Sequence, residues 1–255
     1  MMQTSLITVE DVMSKRVQTI PSWCMVDEAL KIMTDEDVGS LVVMDEKDPI
    51  GILSERDLVS RLMAKGKPPE NTLVTEVMSG DIVKLTRGKS LKEAAKTMNS
   101  KKSRLLVFDG KQNIGIVTAT DVVRGIHEID RSFDIGKVVS KSVFTLKAET
   151  PLHQAIGVMS QLRVGSIIIT KNGDPYGIFT EWDLVRHVLS SHLDLNQPLG
   201  DQSTRPLISA EEEIDGLEVA HIMTNYHIKR LPLTREGAIV GIITARDLVE
   251  AFANS

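Results

Sequence analysis

Gly-Ile-Leu-Ser-Glu-Arg-Asp, at residues 51–57, returns in close variants three more times along the chain. The variants are Gly-Ile-Val-Thr-Ala-Thr-Asp at 115–121, Gly-Ile-Phe-Thr-Glu-Trp-Asp at 177–183 and Gly-Ile-Ile-Thr-Ala-Arg-Asp at 241–247. The aspartates that close these phrases are separated by 64, 62 and 64 residues, so about 60 residues of architecture recur between them. The sequence therefore predicts four structural repeats.

Each closing phrase has the pattern of a β-strand that ends where a helix begins. Glycine followed by β-branched residues suits a strand, and Ser54, or the threonine at the same place in the other phrases, suits a helix N-cap. The aspartate three residues later completes a capping box, with Asp in place of the usual Glu. The phrase alone has two interpretations: it closes helix starts, at about 1 kcal/mol each, or it binds a ligand.

Other parts of the repeat recur in the same order. Before each phrase stand an apolar helical pattern and an apolar strand, and each helix carries one methionine expected in the core: Met33, Met98, Met159 and Met223. Helix starts are predicted at Ser90, at Thr150 with Pro151 as the first helical residue, and at the glutamates 211–213. A short lead-in precedes the first strand, at residues 9–14, 74–79 and 135–140, and in a decayed form at 199–202.

This order of elements, with the lead-in first and the phrase at the last strand-to-helix junction, resembles the cystathionine-β-synthase (CBS) domain. All four units match, and we place them at residues 8–66, 72–127, 134–190 and 197–253. The resemblance implies an α/β (α+β) fold: four β-α-β-β-α CBS repeats packed in pairs as two Bateman modules.

The repeats also alternate in sequence. Repeats one and three share Val-Gly-Ser before the middle strand and carry Glu55 and Glu181 inside the phrase. Repeats two and four share Arg-Leu at the first of these places and carry Ala119 and Ala245 at the second. We infer that an ancestral pair of repeats was later doubled.

Composition and charge limit the class of protein. The 255-residue chain has no run of 18 apolar residues, and its opening Met-Met-Gln-Thr-Ser lacks the parts of a signal peptide, so we expect no membrane. The single cysteine, Cys24, cannot form an internal disulfide, which favours a reducing, cytoplasmic location. A net charge of −5 and 4% aromatic residues oppose nucleic-acid binding.

The sequence contains no recognisable catalytic or metal-binding constellation. Its six histidines fall at unrelated places in the repeats: His127, His153, His187, His192, His221 and His227. No Cys, His or carboxylate spacing fits a metal site, and no glycine-rich phosphate loop occurs. We therefore expect no catalytic residue, no metal and no obligatory cofactor, and an enzyme acting on nucleotides is the least favoured function.

A hydroxyl and a carboxylate at a helix start can hold ribose hydroxyls and a neighbouring phosphate. The CBS resemblance implies this use, since the family typically binds adenosine-containing ligands there, and it makes an adenine nucleotide (AMP, ADP or ATP) the expected ligand. The candidate ribose and phosphate contacts are Ser54, Asp57, Thr118, Asp121, Thr180, Asp183, Thr244 and Asp247.

The resemblance also implies that each cleft combines the phrase of one repeat with the residues before the middle strand of its partner. The Asp57 cleft would then receive Ser103 and Arg104, and the Asp183 cleft would receive Lys229 and Arg230. The reciprocal clefts, at Asp121 and Asp247, would receive Gly-Ser segments without positive charge.

Segments 103–107 and 227–232 resemble the phosphate-binding segments of the γ subunit of AMP-activated protein kinase. The alternative is that an arginine at this place is a solvated surface group. Bulky Arg56 and Trp182 lie next to their aspartates and leave the ligand size at those clefts open.

The sequence thus predicts a non-enzymatic regulator that binds an adenine nucleotide and signals by conformational change to a protein partner, which the sequence does not identify. One alternative is a structural adaptor with empty clefts. Another is a binder of a different adenosyl ligand, such as S-adenosylmethionine. The two modules can close within one chain or pair across a homodimer.

Overall fold

The structure is a computed structural model that describes residues 7–101, 103–129, 131–189 and 193–255. The opening Met-Met-Gln-Thr-Ser and His192, which figure in the expectations above, lie outside the described residues. Among the described residues, no helix has the length and apolar character needed to cross a membrane.

Each repeat forms its own three-stranded sheet, in which the middle strand is parallel to the first strand and antiparallel to the third. The strands are β1 (Thr19–Pro21), β2 (Ser40–Asp45), β3 (Asp48–Ser54), β4 (Val83–Thr86), β5 (Leu105–Asp109), β6 (Gln112–Val117), β7 (Thr145–Lys147), β8 (Ser166–Lys171), β9 (Asp174–Thr180), β10 (Ala210–Glu211), β11 (Arg230–Arg235) and β12 (Ala238–Thr244). The third strand of each sheet carries the phrase.

One helix connects the first and second strands of each repeat, and another begins inside the phrase. The α-helices are α1 (Val9–Val12), α2 (Val26–Asp35), α3 (Glu55–Asp57), α4 (Val74–Val77), α5 (Leu91–Lys101), α6 (Ala119–His127), α7 (Leu152–Leu162), α8 (Glu181–Asp183), α9 (Gly216–Asn225) and α10 (Ala245–Asn254). The β-α-β-β-α order predicted from the sequence is therefore confirmed in all four repeats.

The predicted helix starts are confirmed at one place and wrong at two. Ser90 and Glu93 form the expected capping box, with the serine N–H and hydroxyl each 2.9 Å from the glutamate carboxylate. Pro151 is the N-cap of α7 rather than its first helical residue. The glutamates 211–213 do not open a helix, because Glu211 lies in β10 and Asp215 caps α9 through the N–H groups of the next residues.

The chain divides into two units, and each unit combines two repeats. The odd unit comprises Gln18–Asp81 and Val143–Ile208, and so holds the sheets of repeats one and three. The even unit comprises Met1–Val17, Ile82–Ser142 and Ser209–Ser255, and holds the sheets of repeats two and four. The repeats that are alike in sequence are thus the repeats that share a unit.

In the odd unit, each repeat contributes one valine to the core of the other. Val185, from repeat three, packs in the cluster around Ile20, Met33 and Leu41, while Val59, from repeat one, packs with the core of repeat three. Both valines lie on π-helical segments that follow the phrases, Leu58–Leu62 and Leu184–Leu189. Burial of these apolar side chains stabilises the pairing of the two repeats.

In the even unit, aromatic and imidazole rings join the two repeats. His127, at the end of α6, and His221, on α9, make an edge contact with ring centroids 4.5 Å apart. Phe133 lies 5.8 Å from Phe252 between ring centroids and covers Gly216 so closely that no side chain fits there. The helices after the phrases of this unit are regular α-helices, in contrast to the π-helical turns of the odd unit.

Candidate functional site

The hydroxyl and carboxylate of every phrase form the capping box that the sequence predicts. In all four repeats one aspartate oxygen, Oδ2, accepts the hydroxyl of the Ser or Thr three residues earlier at 2.5–2.7 Å, and the N–H of that residue at 2.7–3.0 Å. One oxygen of each carboxylate is therefore occupied by the fold itself. Any further chemistry depends on the second oxygen, Oδ1.

The lead-in of one repeat lies on the phrase of another. Ser14, Ser79 and Ser140 end the first three lead-ins, and the fourth extends past the predicted 199–202 to Thr204. Each of these residues exchanges two backbone hydrogen bonds, 2.8–3.1 Å long, with the isoleucine that follows a phrase glycine. The partner isoleucines are Ile116, Ile52, Ile242 and Ile178 in the same order. The lead-ins are thus exchanged between repeats one and two and between repeats three and four, which pairs the repeats as two Bateman modules.

The exchange explains why each phrase begins with glycine. A Cβ on Gly51 would lie 2.9 Å from the carbonyl oxygen of Ser79, and one on Gly177 would lie 2.8 Å from that of Thr204. Contacts this short are repulsive, so a side chain at this place would displace the lead-in. The glycine serves close approach of two backbones rather than strand formation.

The second carboxylate oxygen faces the hydroxyl that ends the lead-in. Asp57 Oδ1 accepts Ser79 Oγ at 3.0 Å, and Asp183 Oδ1 accepts Thr204 Oγ1 at 2.9 Å. At Asp121 the equivalent distance, to Ser14 Oγ, is 3.4 Å. These hydroxyls were missed by the sequence interpretation, although the serine that ends the first three lead-ins is a signal that could have identified them.

Arginines add positive charge beside two of the four carboxylates. Arg124 Nη2 donates to Asp121 Oδ1 at 2.8 Å and also to the carbonyl of Val12, at the end of α1. Arg61 Nε lies 3.6 Å from Asp57 Oδ1, and its Nη1 donates to the carbonyls that end α4. Each of these arginines therefore ties a phrase carboxylate to the exchanged lead-in.

The four carboxylates differ in burial. Asp57, Asp121 and Asp183 are buried, at 3–6% exposure, whereas Asp247 is half-buried. Within the part of the chain that the structure describes, Asp247 makes its capping bonds to Thr244 and no ion pair. Burial of a carboxylate without hydrogen bonds costs free energy. The carboxylates of Asp57, Asp121 and Asp183 therefore depend more on additional hydrogen-bond partners than the carboxylate of Asp247 does.

The four residues predicted to bind phosphate all belong to the even unit. Arg230 stands directly across from Thr244 in the β11–β12 register, and Lys229 accepts the N–H of Ala245 at 2.8 Å through its carbonyl. Ser103 and Arg104 precede β5 at the matching place in repeat two. Asp57 and Asp183 belong to the odd unit, so their pairing with these residues stays a prediction from the sequence.

Cys24 does not contribute a reactive group. Its side chain lies just before the N-cap of α2 and is 4% exposed. Burial, together with the neighbouring Glu28 carboxylate, raises the pKa of the Cys24 thiol and disfavours the thiolate.

The fold and the exchanged lead-ins define a class of protein with four tandem repeats arranged as two pairs. The family model described as CBS domain matches this chain four times, at residues 9–64, 74–128, 135–190 and 203–254. The chain belongs to the CBS domain family. Proteins of this family are generally regulatory and bind ligands.

Two solved structures share the whole arrangement. Protein MJ1225 of Methanocaldococcus jannaschii, described as a proposed archaeal homologue of g-AMPK, superposes with a TM-score of 0.79 over 97% of this chain and 100% of its own, at 22% identity. A conserved protein of Pyrococcus horikoshii gives a TM-score of 0.67 over 96% of this chain and 100% of its own, at 25% identity. At this identity the likeness to MJ1225 concerns the fold.

The curated relatives extend beyond the part of their sequence that matches this chain. Protein MK0525 of Methanopyrus kandleri is 37% identical over 107 residues, which are 41% of this chain and 54% of that protein. Two further archaeal relatives are matched over 57% and 62% of their own length. The chain therefore spans about half to three fifths of the length of these relatives.

Proposed function

We propose that this protein is a non-enzymatic regulator that binds adenine nucleotides at its closing phrases and passes the bound state to a protein partner. The observation that carries the proposal is the second oxygen of the phrase carboxylates. Helix capping uses Oδ2 alone, yet Asp57 and Asp183 are buried with Oδ1 turned toward a lead-in hydroxyl. Helix capping alone does not require the contact between Oδ1 and the lead-in hydroxyl.

The geometry suits a ribose. A carboxylate oxygen has two lone pairs, and Ser79 uses one of those on Asp57 Oδ1, so the other can accept a ribose hydroxyl. The lead-in hydroxyl can accept or donate to the second hydroxyl of the same ribose. Hydrogen bonds to an ionised carboxylate are stronger than neutral ones, which favours a vicinal diol as the ligand group.

Phosphate recognition is assigned to Ser103, Arg104, Lys229 and Arg230. Guanidinium groups bind phosphate through paired hydrogen bonds and keep their charge at any physiological pH. The proposal includes no metal and no obligatory cofactor, and it includes neither nucleic acid nor membrane as a partner. The single, buried Cys24 supports a reducing compartment such as the cytoplasm.

Signalling follows from the exchange of lead-ins. A ligand on Asp57 touches a carboxylate that is already bonded to the lead-in of repeat two, so binding alters a contact between two repeats. A ligand shifts such an equilibrium by no more than its difference in affinity for the two arrangements. The proposed archaeal homology of MJ1225 to g-AMPK supports the nucleotide class at the level of a shared fold.

Thermal shift with AMP, ADP, ATP and S-adenosylmethionine tests the proposal. A ligand at 100 times its dissociation constant stabilises the folded state by roughly 2.7 kcal/mol, or about 5–10 °C for a chain of this size. An adenine nucleotide is expected to give this shift. A shift with S-adenosylmethionine alone would change the ligand class, and no shift with any of the four at millimolar concentration would leave the structural adaptor.

A further inference from the structure

Arg61 and Arg124 each stand about one helical turn after a phrase aspartate, four residues after Asp57 and three residues after Asp121. Residues three or four apart on a helix are neighbours, which lets each guanidinium return to its own carboxylate. The contact is to Oδ1 in both repeats, the oxygen that capping leaves available. The side chains are 43% and 49% exposed, so a ligand in solvent can also reach their charge.

Repeats three and four lack this arrangement. Arg186 follows Asp183 by three residues but is exposed, and among the described residues it forms no ion pair with that aspartate. Repeat four carries Glu250 at the same place, which has the same sign of charge as Asp247. Among the described residues, Asp57 and Asp121 thus have an arginine beside Oδ1, and Asp183 and Asp247 do not.

We propose that Arg61 and Arg124 determine which sites accept nucleotides of high negative charge. This inference rests on the proposed function, in which the carboxylate holds the ribose. An uncompensated carboxylate repels the phosphates of the same ligand, and the repulsion grows with each phosphate added. Each arginine therefore raises the preference of its own site, at Asp57 or Asp121, for di- and triphosphates over adenosine, and this effect adds to that of the phosphate-binding residues proposed for the Asp57 and Asp183 sites.

The two arginines also hold the lead-ins, so the test must separate charge from structure. Arg124→Gln removes the charge but keeps an N–H donor for the Val12 carbonyl, whereas Arg124→Lys keeps the charge and loses the planar fork. Arg61→Gln and Arg61→Lys form the matching pair. Arg186→Gln is the control, because it removes an arginine at the same place that does not touch a carboxylate.

Methionine methyl signals give separate readouts for the Asp57 and Asp121 sites in the full-length chain. Met13 lies against Gly115 and Met78 against Gly51, so their methyl groups report on the phrases of repeats two and one. Titrations with adenosine, AMP and ATP then yield an affinity for each of these two sites. Low and moderate salt are compared, because screening weakens a charge effect.

Arg124→Gln is expected to lower the ratio of ATP to adenosine affinity at the Met13 signal on the order of tenfold, with the Met78 signal unchanged. Arg124→Lys should restore the ratio, and Arg186→Gln should leave it unchanged at both signals. An equal loss of ATP and adenosine affinity would show a structural role and overturn the inference. An unchanged ratio in Arg124→Gln would overturn it too.

A variant that adds a positive charge tests the inference even if the arginine variants fail to fold. Glu250→Arg changes an exposed residue of α10 and places a cation one turn after Asp247. Calorimetry should then show a higher ratio of ATP to adenosine affinity than in the unchanged chain, and an unchanged ratio would overturn the inference. If the unchanged chain binds no nucleotide, the proposed function itself fails, which is a different result from nucleotide binding without charge selectivity.

Discussion

The odd and even units are built from the same repeat, but they carry opposite charges beside the phrase. The odd unit has Glu55 and Glu181 at the first helical position, both buried, and serine before the middle strand. The even unit has alanine at the first position and Arg104 or Arg230 at the second. The two positions are neighbours in space, since the N–H of Glu55 donates to the carbonyl of Gly39 at 3.2 Å.

The comparison shows that the same fold carries its charged side chain at different positions in the two units. A buried glutamate requires partners, and Glu181 has one in Arg56, at 3.4 Å across the two repeats of the odd unit. The alanines of the even unit need no such partner, and the charge of that unit resides in its arginines. In the odd unit the charge at the first helical position thus links two repeats, whereas the even unit carries its charge on arginines at the start of the middle strand.

The largest expected difference between the units concerns the phrase glycines. Gly177→Ala should destabilise the protein by about 2–3 kcal/mol, because the new methyl group meets a backbone oxygen at 2.8 Å. In the even unit, Gly241→Ala should cost about 1 kcal/mol, since the corresponding distance to the Ser140 oxygen is 3.3 Å and the nearer contact is the Val139 side chain. Urea denaturation of both variants measures the difference, and equal losses would contradict the role given to the lead-in backbone.

The next comparison uses the carboxylates. Asp183→Asn should weaken nucleotide binding by roughly 1.5–3 kcal/mol, because a charged acceptor is replaced by a neutral one that still caps the helix. Asp247→Asn should weaken it less, since Asp247 is half-buried and the described residues give it no lead-in hydroxyl bond like the one at Asp183. Calorimetry gives the affinities. If Asp183→Asn lowers the melting temperature of the unliganded protein and leaves affinity unchanged, the aspartate serves capping alone.

A smaller effect is expected from the arginines at the start of the middle strands of the even unit. Arg104→Ala and Arg230→Ala should each cost about 1 kcal/mol of affinity for AMP or ATP and little for adenosine, because the phosphate alone loses a charged partner. The matched changes in the odd unit, Ser40→Ala and Ser166→Ala, should leave phosphate recognition intact. Equal losses for AMP and adenosine would show that these arginines do not contact phosphate.

The smallest expected effect is a difference between the two units in how the stability of a helix start depends on pH. The hydrogen bond from Lys89, with those from the Ser90 N–H and hydroxyl, lowers the pKa of Glu93 at the start of α5 from 4.5 to about 2. A lowered pKa gives stability that is present above pH 4.5 and is lost as the pH falls toward about 2. The corresponding helix of repeat one, α2, has Met25 instead of a hydroxyl at its cap.

Glu93→Gln should therefore be slightly less stable than the unchanged chain near neutral pH and equal to it near pH 2. Denaturation midpoints at several pH values test this, with Lys89→Ala as the control that removes the largest cause of the shift. A difference that stays constant over the whole pH range would contradict the assignment.

Much of this architecture could be predicted because its signals are local. A capping residue and the glycine before it are read from seven residues of sequence, and all four phrases indeed form capping boxes. The helix start at Asp215 was missed because a run of three glutamates nearby resembles a charged first turn, whereas Glu212 pairs with Arg235 on the next strand. Such a cross-strand partner is not visible until the sheet is formed.

The exchange of lead-ins could not be predicted for a similar reason. The segment 74–79 stands just before the sheet of repeat two in sequence, but the hydrogen bonds of Ser79 go back to Ile52 in repeat one. The repeat-four lead-in appeared decayed because its sequence had diverged, yet Thr204 makes the same two bonds as its counterparts. The shared geometry depends on backbone groups and a hydroxyl, which tolerate many sequences.

The exchanged lead-ins impose a rule of parity on the whole lineage. If one repeat is deleted, its partner loses the lead-in that lay on its phrase. The partner's own lead-in then has no phrase to bind, so the surviving repeat is destabilised. A duplication of one repeat creates the same mismatch in reverse. Chains of this kind should therefore grow and shrink by twos, and the closer likeness between alternate repeats in this chain is the trace of one such step.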